Sequence, residues 1–220
     1  MSGKMLKSRK NVFWEALIIT IAIFMMGLFL GILIETSNSN KIGDLFTQSE
    51  ISLVDGMAIL KLSEESNISC EVLKEQNINF ANKIYEEAKL LEEYETSGKL
   101  TDGMKLLHKK YDLLRTLLWM SNQESLERCS NYNLIVYLYS YNSEETNTKA
   151  TQNVWGKMLL DIKENRNDIL LLPIAADQNL TSLDILLSEY EIESIPAVVI
   201  NNKDILYELE NKDSVETHLL

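Results

Sequence analysis

Residues 16–34 of this 220-residue chain contain no charged side chain, and apart from Thr20, Gly27 and Gly31 every one of them is apolar. A helix that crosses the hydrocarbon of a bilayer needs about 20 such residues in succession. The run therefore predicts one transmembrane helix, with flanks that extend it to residues 13–35. Lys4, Lys7, Arg9 and Lys10 precede it, and Glu35 with a polar Thr-Ser-Asn-Ser-Asn stretch follows. By the positive-inside rule, residues 1–12 form a cytoplasmic basic tail and the rest of the chain is exported. The expectation is a single-pass cell-membrane protein with its N-terminus cytoplasmic and its C-terminal region extracytoplasmic. Trp14 falls where an interfacial aromatic anchors the cytoplasmic end.

A cleaved signal peptide is the competing reading. Its apolar region would be about 7–15 residues long and followed by an A-x-A-like site. The run here is longer and lacks such a site, which favours an uncleaved signal anchor. Within the span, Gly27-Leu-Phe-Leu-Gly31 is a G-x-x-x-G pattern. That pattern lets two helices approach closely in lipid. Homodimerisation through Gly27 and Gly31 is one reading, and the ordinary abundance of glycine in membrane helices is the other.

Residues 35–220 carry 17 basic against 32 acidic side chains, a net charge of −15. So acidic a surface repels nucleic acid and anionic headgroups, which excludes nucleic-acid partners. With only 8 glycines and 2 prolines, the chain favours long regular elements over loops. Residues 44–62 read as a helix, with Leu45, Leu53, Val54, Met57 and Leu60 near helical spacing, and would form a stalk. Residues 70–94 place Leu73, Phe80, Ile84, Ala88 and Leu91 on one helical face. After a break at Thr96-Ser-Gly98-Lys, Thr101 and Asp102 can cap a further helix to about Leu126. Its stripe is Met104, Leu107, Tyr111, Leu114 and Leu118. Two such helices joined by a short turn make an antiparallel hairpin, a short coiled coil. Residues 36–130 are thus expected to be a helical stalk and hairpin.

The two cysteines, Cys70 and Cys129, fall at the base of that hairpin. Measured from Gly98 the two arms differ by about 5 Å along the axis, a mismatch that loops can absorb. An exported compartment permits disulfides, so a structural Cys70–Cys129 staple is the favoured reading. A redox-active pair is the alternative. It is disfavoured because neither cysteine has the helix-start or close-partner context that lowers a thiol pKa.

From Asn133 the pattern changes. Leu134-Ile-Val-Tyr-Leu-Tyr139 is a β-branched and aromatic run, hence a strand. A polar loop leads to a helix ending near Glu164. Ile169-Leu-Leu-Leu-Pro-Ile174 is a second apolar run, read as a strand covered on both faces. A helix over residues 181–190 follows. Then comes Tyr190-Glu-Ile-Glu-Ser-Ile-Pro196-Ala-Val-Val-Ile-Asn201-Asn-Lys-Asp-Ile-Leu-Tyr-Glu-Leu209. It reads as a helix end, an Ile-Pro step into a buried strand, a two-residue turn and a return strand over residues 205–209. Proline is tolerated at the first residue of a strand. Residues 214–220 would add a short helix, and a β-α-β crossover would make the first two strands parallel.

Residues 131–220 resemble the thioredoxin-like family in this β-α-β-α-β-β-α order, and residues 190–209 resemble its proline loop most closely. The resemblance implies an α/β thioredoxin-like domain with a cis Ile195–Pro196 bond. In that family the proline packs beside a catalytic Cys-x-x-Cys, and its neighbours hold a partner's extended chain. Here the corresponding loop, residues 141–149, has neither cysteine. A serine or threonine in it would need a base, and no histidine is expected nearby to activate it. The redox chemistry does not carry over, whereas the peptide-binding surface can.

Other constellations are weak. His108 and His218 belong to no spaced set of ligands, so no metal is expected. Glu86, Glu87, Glu92, Glu93 and Glu95 read as a solvated helix face rather than a cation loop. Asn67-Ile-Ser69 and Asn179-Leu-Thr181 match the N-glycosylation pattern. No P-loop, G-x-S-x-G or H-E-x-x-H pattern occurs, so no cofactor or catalytic residue is expected and the balance points away from an enzyme. The favoured function is a membrane-anchored, redox-inactive module that binds exported or membrane proteins. A thiol-disulfide oxidoreductase or redox accessory using Cys70 and Cys129 is the alternative. A structural cell-envelope component is the third.

Overall fold

The computed structural model describes residues 9–65, 68–96, 102–129 and 131–219. The protein is mixed α/β and divides into two compact units, Met1–Thr47 and Gln48–Leu220. Helix α1 covers Arg9–Glu65. In the first unit its stretch Val12–Ile34 is 23 residues long, has no buried residue, and is apolar enough to cross a membrane. At 1.5 Å per residue it measures about 35 Å, against about 30 Å of hydrocarbon.

The second unit begins with the last part of α1, followed by α2 (Cys70–Thr96) and α3 (Asp102–Arg128). The hairpin turn expected around Gly98, with the Thr101 cap, lies outside the described residues. Leu73, Phe80, Ile84 and Leu91 of α2 are buried, as are Met104, Leu107, Tyr111, Leu114 and Leu118 of α3. Buried amides add polar contacts to this interface. Asn77 Nδ2 donates to Asn122 Oδ1 at 2.9 Å, and the Tyr132 hydroxyl donates to the same oxygen. Such a bridge favours one axial register, because sliding the helices would strand its buried polar atoms.

Helix α1 joins this packing through an unexpected face. Ser49, Ser52 and Gly56 are buried, whereas Ile51, Val54, Met57 and Leu62 are about half exposed or more. The apolar positions read as the stripe of a stalk thus include Val54 and Met57 on the outside, while the side chains of Leu45 and Leu60 lie outside the described residues. Close approach explains the choice: a Cβ on Gly56 would stand 3.0 Å from Phe80 Cζ and 3.9 Å from Leu114 Cδ2. Glu87 also departs from the solvated face expected for it. It is buried, and burial holds its carboxyl above the usual range despite nearby Lys83.

The sheet contains β1 (Asn133–Tyr139), β2 (Ile169–Ala175), β3 (Ala197–Ile200) and β4 (Asp204–Leu206), in the order β2-β1-β3-β4. β1 and β2 are parallel with Asn133 opposite Ile169, and β3 is antiparallel to both β1 and β4. Helix α4 (Thr146–Asn165) links β1 to β2, α5 (Thr181–Glu189) links β2 to β3, and α6 (Lys212–Glu216) follows β4. Ile135, Tyr137, Val198 and Ile200 share one core with Trp155, Leu159 and Ile162 of α4 and Val215 of α6. Strand residues of opposite parity, such as Leu134, Val136, Leu172 and Ile174, are equally buried. They face the other way, as strand alternation requires, on the side where α3 packs against β1, β2 and α5. Helix α2 packs on β2.

β2 is covered on both faces, by α4 on one and by α3 on the other, and lies at the edge of the sheet, with Leu171 and Pro173 half-buried. That is the position where a sheet tolerates a proline. The connection between β3 and β4 has three residues rather than two, and β4 ends at Leu206 instead of reaching Leu209. Asn201 and Asn202 have φ of 51° and 56°, and Lys203 N donates to Ile200 O at 3.0 Å. Asparagine accepts this left-handed backbone more readily than most residues.

Candidate functional site

The C-terminal ends of β1 and β2 carry the best-organised polar cluster near the cysteine-free loop. Directly after β1, residues 140–142 are held by Asp177, which lies in the turn after β2. One carboxylate oxygen of Asp177 accepts from Tyr141 N at 2.9 Å, and the other accepts from Asn142 N at 2.7 Å and Ser140 Oγ at 2.9 Å. Partial burial pushes this carboxyl up, but the Asn142, Tyr141 and Ser140 donors outweigh it and hold the group below its usual range. From the other side, Gln152 of α4 makes a two-pronged contact with Ser140. Its amide donates to Ser140 O at 2.9 Å and its oxygen accepts from Ser140 N at 3.2 Å. Because the Tyr137 hydroxyl donates to Gln152 O at 2.9 Å, strand, loop and helix form one hydrogen-bonded group.

This chemistry suits positioning rather than catalysis. An efficient general base has a pKa near the working pH. Asp177 is held below the carboxylate range and its oxygens already face three donors, so it is poorly placed to activate Ser140. Helix α3 brings His108 to the loop, with its ring 5.0 Å from that of Tyr141. The expectation that no histidine stands near this loop is therefore corrected. It rested on sequence distance, which the packing of α3 against the sheet overrides. One turn further, buried Asp112 Oδ1 accepts from Arg115 Nη1 at 3.1 Å and from Ala175 N at 3.2 Å. Burial raises the Asp112 carboxyl, and Arg115 and the Ala175 amide oppose that rise. The pair ties α3 to the end of β2.

The Ile195–Pro196 bond is cis and leads directly into β3. Ala197 pairs with Leu138, so this step lies beside Tyr139 and the start of the loop. Ile195 and Pro196 are both half-buried. Upstream, the Tyr190 ring stacks on Trp119 at 5.1 Å, and Gln123 Nε2 donates to the Tyr190 hydroxyl at 3.1 Å. The Tyr207 hydroxyl accepts from Glu193 N and donates to Glu191 O, bracing the same segment. The lead-in to β3 is thus fixed from α3 and from the residue just beyond β4.

With this geometry in view, comparison with known proteins finds no match among protein-family models, curated proteins or solved structures.

The remaining sequence candidates fall elsewhere. Cys70 and Cys129 form a disulfide with an S–S distance of 2.00 Å and Cα atoms 5.4 Å apart. Cys129 is buried just before β1, whereas Cys70 is the half-buried first residue of α2, which corrects the expectation that neither cysteine stands at a helix start. The loop lies at the other end of that strand, about 20 Å away along it. Gly27 and Gly31 border open space. Asn179 is exposed with φ of 52°, and its carbonyl accepts from Lys109 Nζ at 3.1 Å. Asn67 lies outside the described residues. His218 Nδ1 is 3.0 Å from Asp204 Oδ2. No group of three or more metal-ligating side chains occurs among the described residues. Sequence reading missed Asp177, Gln152 and the placement of His108. Asp177 sits in Ala175-Ala-Asp-Gln-Asn179, which looks like an ordinary turn, and the helical residues carry no local signal of their loop contacts.

Proposed function

We propose that the protein is a single-pass, membrane-anchored module whose exported unit has a thioredoxin-like fold without redox chemistry and binds an extended polypeptide. The observation that carries the reading is the pairing of a β2-β1-β3-β4 sheet with an Ile195–Pro196 step beside a cysteine-free loop braced by Asp177. The arrangement resembles the family's peptide-holding face, with the thiols absent. The disulfide lies at the opposite end of β1 from the loop and ties the start of α2 to the end of α3, which supports a staple. The apolar stretch Val12–Ile34 supports anchoring, and the basic residues before it support an N-in, C-out orientation.

A photo-crosslinking residue at Ile195, introduced into the full chain in native membranes, tests this reading. A defined polypeptide adduct is expected at Ile195 and not at exposed Ile185 of α5. Equal adducts at both positions, or none at Ile195, would overturn the assignment of this face. Disulfide-reductase activity that disappears in Cys70→Ala would overturn the redox-inactive part.

A further inference from the structure

Beside the braced loop, on the α4 side of the sheet, lies a cavity of about 550 Å³. Its floor includes Tyr137 and Tyr139, whose rings stack with centroids 5.7 Å apart, and Tyr85 of α2 forms part of the wall. Helix α4 runs over this floor, and Gly156 is the residue it places against the buried Tyr137 ring. A Cβ there would stand 4.0 Å from Tyr137 Cε1, an ordinary contact, so packing does not demand glycine. Glycine within a helix is destabilising relative to alanine. Its effect here is to keep open the space that a larger side chain would fill.

The charge around this space departs from that of the chain. Among the described residues, its lining includes Lys149 and Lys157 against one acidic side chain, Glu92, although residues 35–220 carry a net −15. The partly exposed Tyr139, Leu160, Leu171 and Pro173 offer an apolar surface, and a cavity of this size suits a small organic ligand. We propose that the cavity binds a small amphipathic anion, an aromatic or branched apolar body carrying one acidic group directed to Lys149 or Lys157.

The test uses the full chain in lipid nanodiscs, with matched empty discs subtracted, and two related probes. One is anionic 1-anilinonaphthalene-8-sulfonate and the other is uncharged N-phenyl-1-naphthylamine. Saturable binding of the anionic probe is expected, and Gly156→Leu should abolish it while circular dichroism shows the fold retained. The double variant Lys149→Glu, Lys157→Glu should weaken the anionic probe about tenfold or more and leave the neutral probe within about twofold. Unchanged anionic binding in a folded Gly156→Leu protein would overturn the location. If that variant fails to fold, the exposed lysine variant still decides: equal effects on both probes, or none, would overturn the proposal.

Discussion

The same substitution at two glycines should have opposite effects, because only one of them lies at a close helix contact. Gly156→Ala adds a methyl group 4.0 Å from Tyr137 Cε1. It relieves the cost of glycine inside a helix, a gain of about 0.5–1 kcal/mol. Gly56→Ala brings the same propensity gain in α1, but its methyl would lie 3.0 Å from Phe80 Cζ and 3.1 Å from Phe80 Cε1. Carbon atoms pack best at about 3.5–4.0 Å, and the Phe80 ring is only 6% exposed. Overpacking a core costs about 1–3 kcal/mol, so the net expectation is a loss of about 1 kcal/mol. For a unit of this size, each kcal/mol moves the melting temperature by about 2–4 °C. Gly156→Ala should therefore melt a few degrees higher and Gly56→Ala a few degrees lower. Gly56→Leu should be worse than either. Thermal unfolding of the full chain in nanodiscs, followed by near-UV circular dichroism, reads this out through Trp119 and Trp155, both fully buried. If Gly56→Ala stabilises as much as Gly156→Ala, α1 does not pack through its small residues and the three-helix arrangement is wrong.

Replacing both Cys70 and Cys129 with alanine opens a link spanning 59 residues. In the chain-entropy model that costs about 4 kcal/mol, visible as a lower denaturation midpoint; an unchanged midpoint would refute the staple. Asp112→Ala strands Arg115, itself only 8% exposed, and loss of a partner from a buried ion pair costs about 3–5 kcal/mol. A melting temperature within a degree of the wild type would contradict that role. Glu87 and Asp177 should show opposite pH signs. The Glu87 carboxyl is raised in the fold, so its contribution is present below the unfolded pKa and is lost as pH rises through the folded one. Glu87→Gln should therefore stabilise at pH 7 and lose that advantage on acidification. The Asp177 carboxyl is lowered, so its contribution is present above the unfolded pKa and fades as pH falls through the folded one. Asp177→Asn should destabilise at pH 7, with the difference closing in acid; parallel pH curves for the two variants would refute both assignments.

The sequence by itself determined the elements whose cause is local. An uncharged apolar run has no stable alternative to a long helix that shelters its own hydrogen bonds. A β-branched and aromatic run gave β1 and a continuous apolar run gave β2, each within a residue or so, and helical spacing marked the buried faces of α2 and α3. Tertiary structure decided which face of α1 turns inward. Periodicity pointed to Val54 and Met57, but Ser49, Ser52 and Gly56 let the helix axes approach, and close contact prevailed over hydrophobicity. Only the fold could place Glu87 in the interior, make β2 an edge, or bring His108 beside Tyr141 across 33 positions of sequence. The candidate site follows the same division. The missing thiols in residues 141–149 and the proline before β3 were legible as residue types. The clamp made by Asp177 and Gln152 was not, because it exists only once the turn after β2 and the flank of α4 converge on the end of β1, and such convergence leaves no period or spacing in the chain.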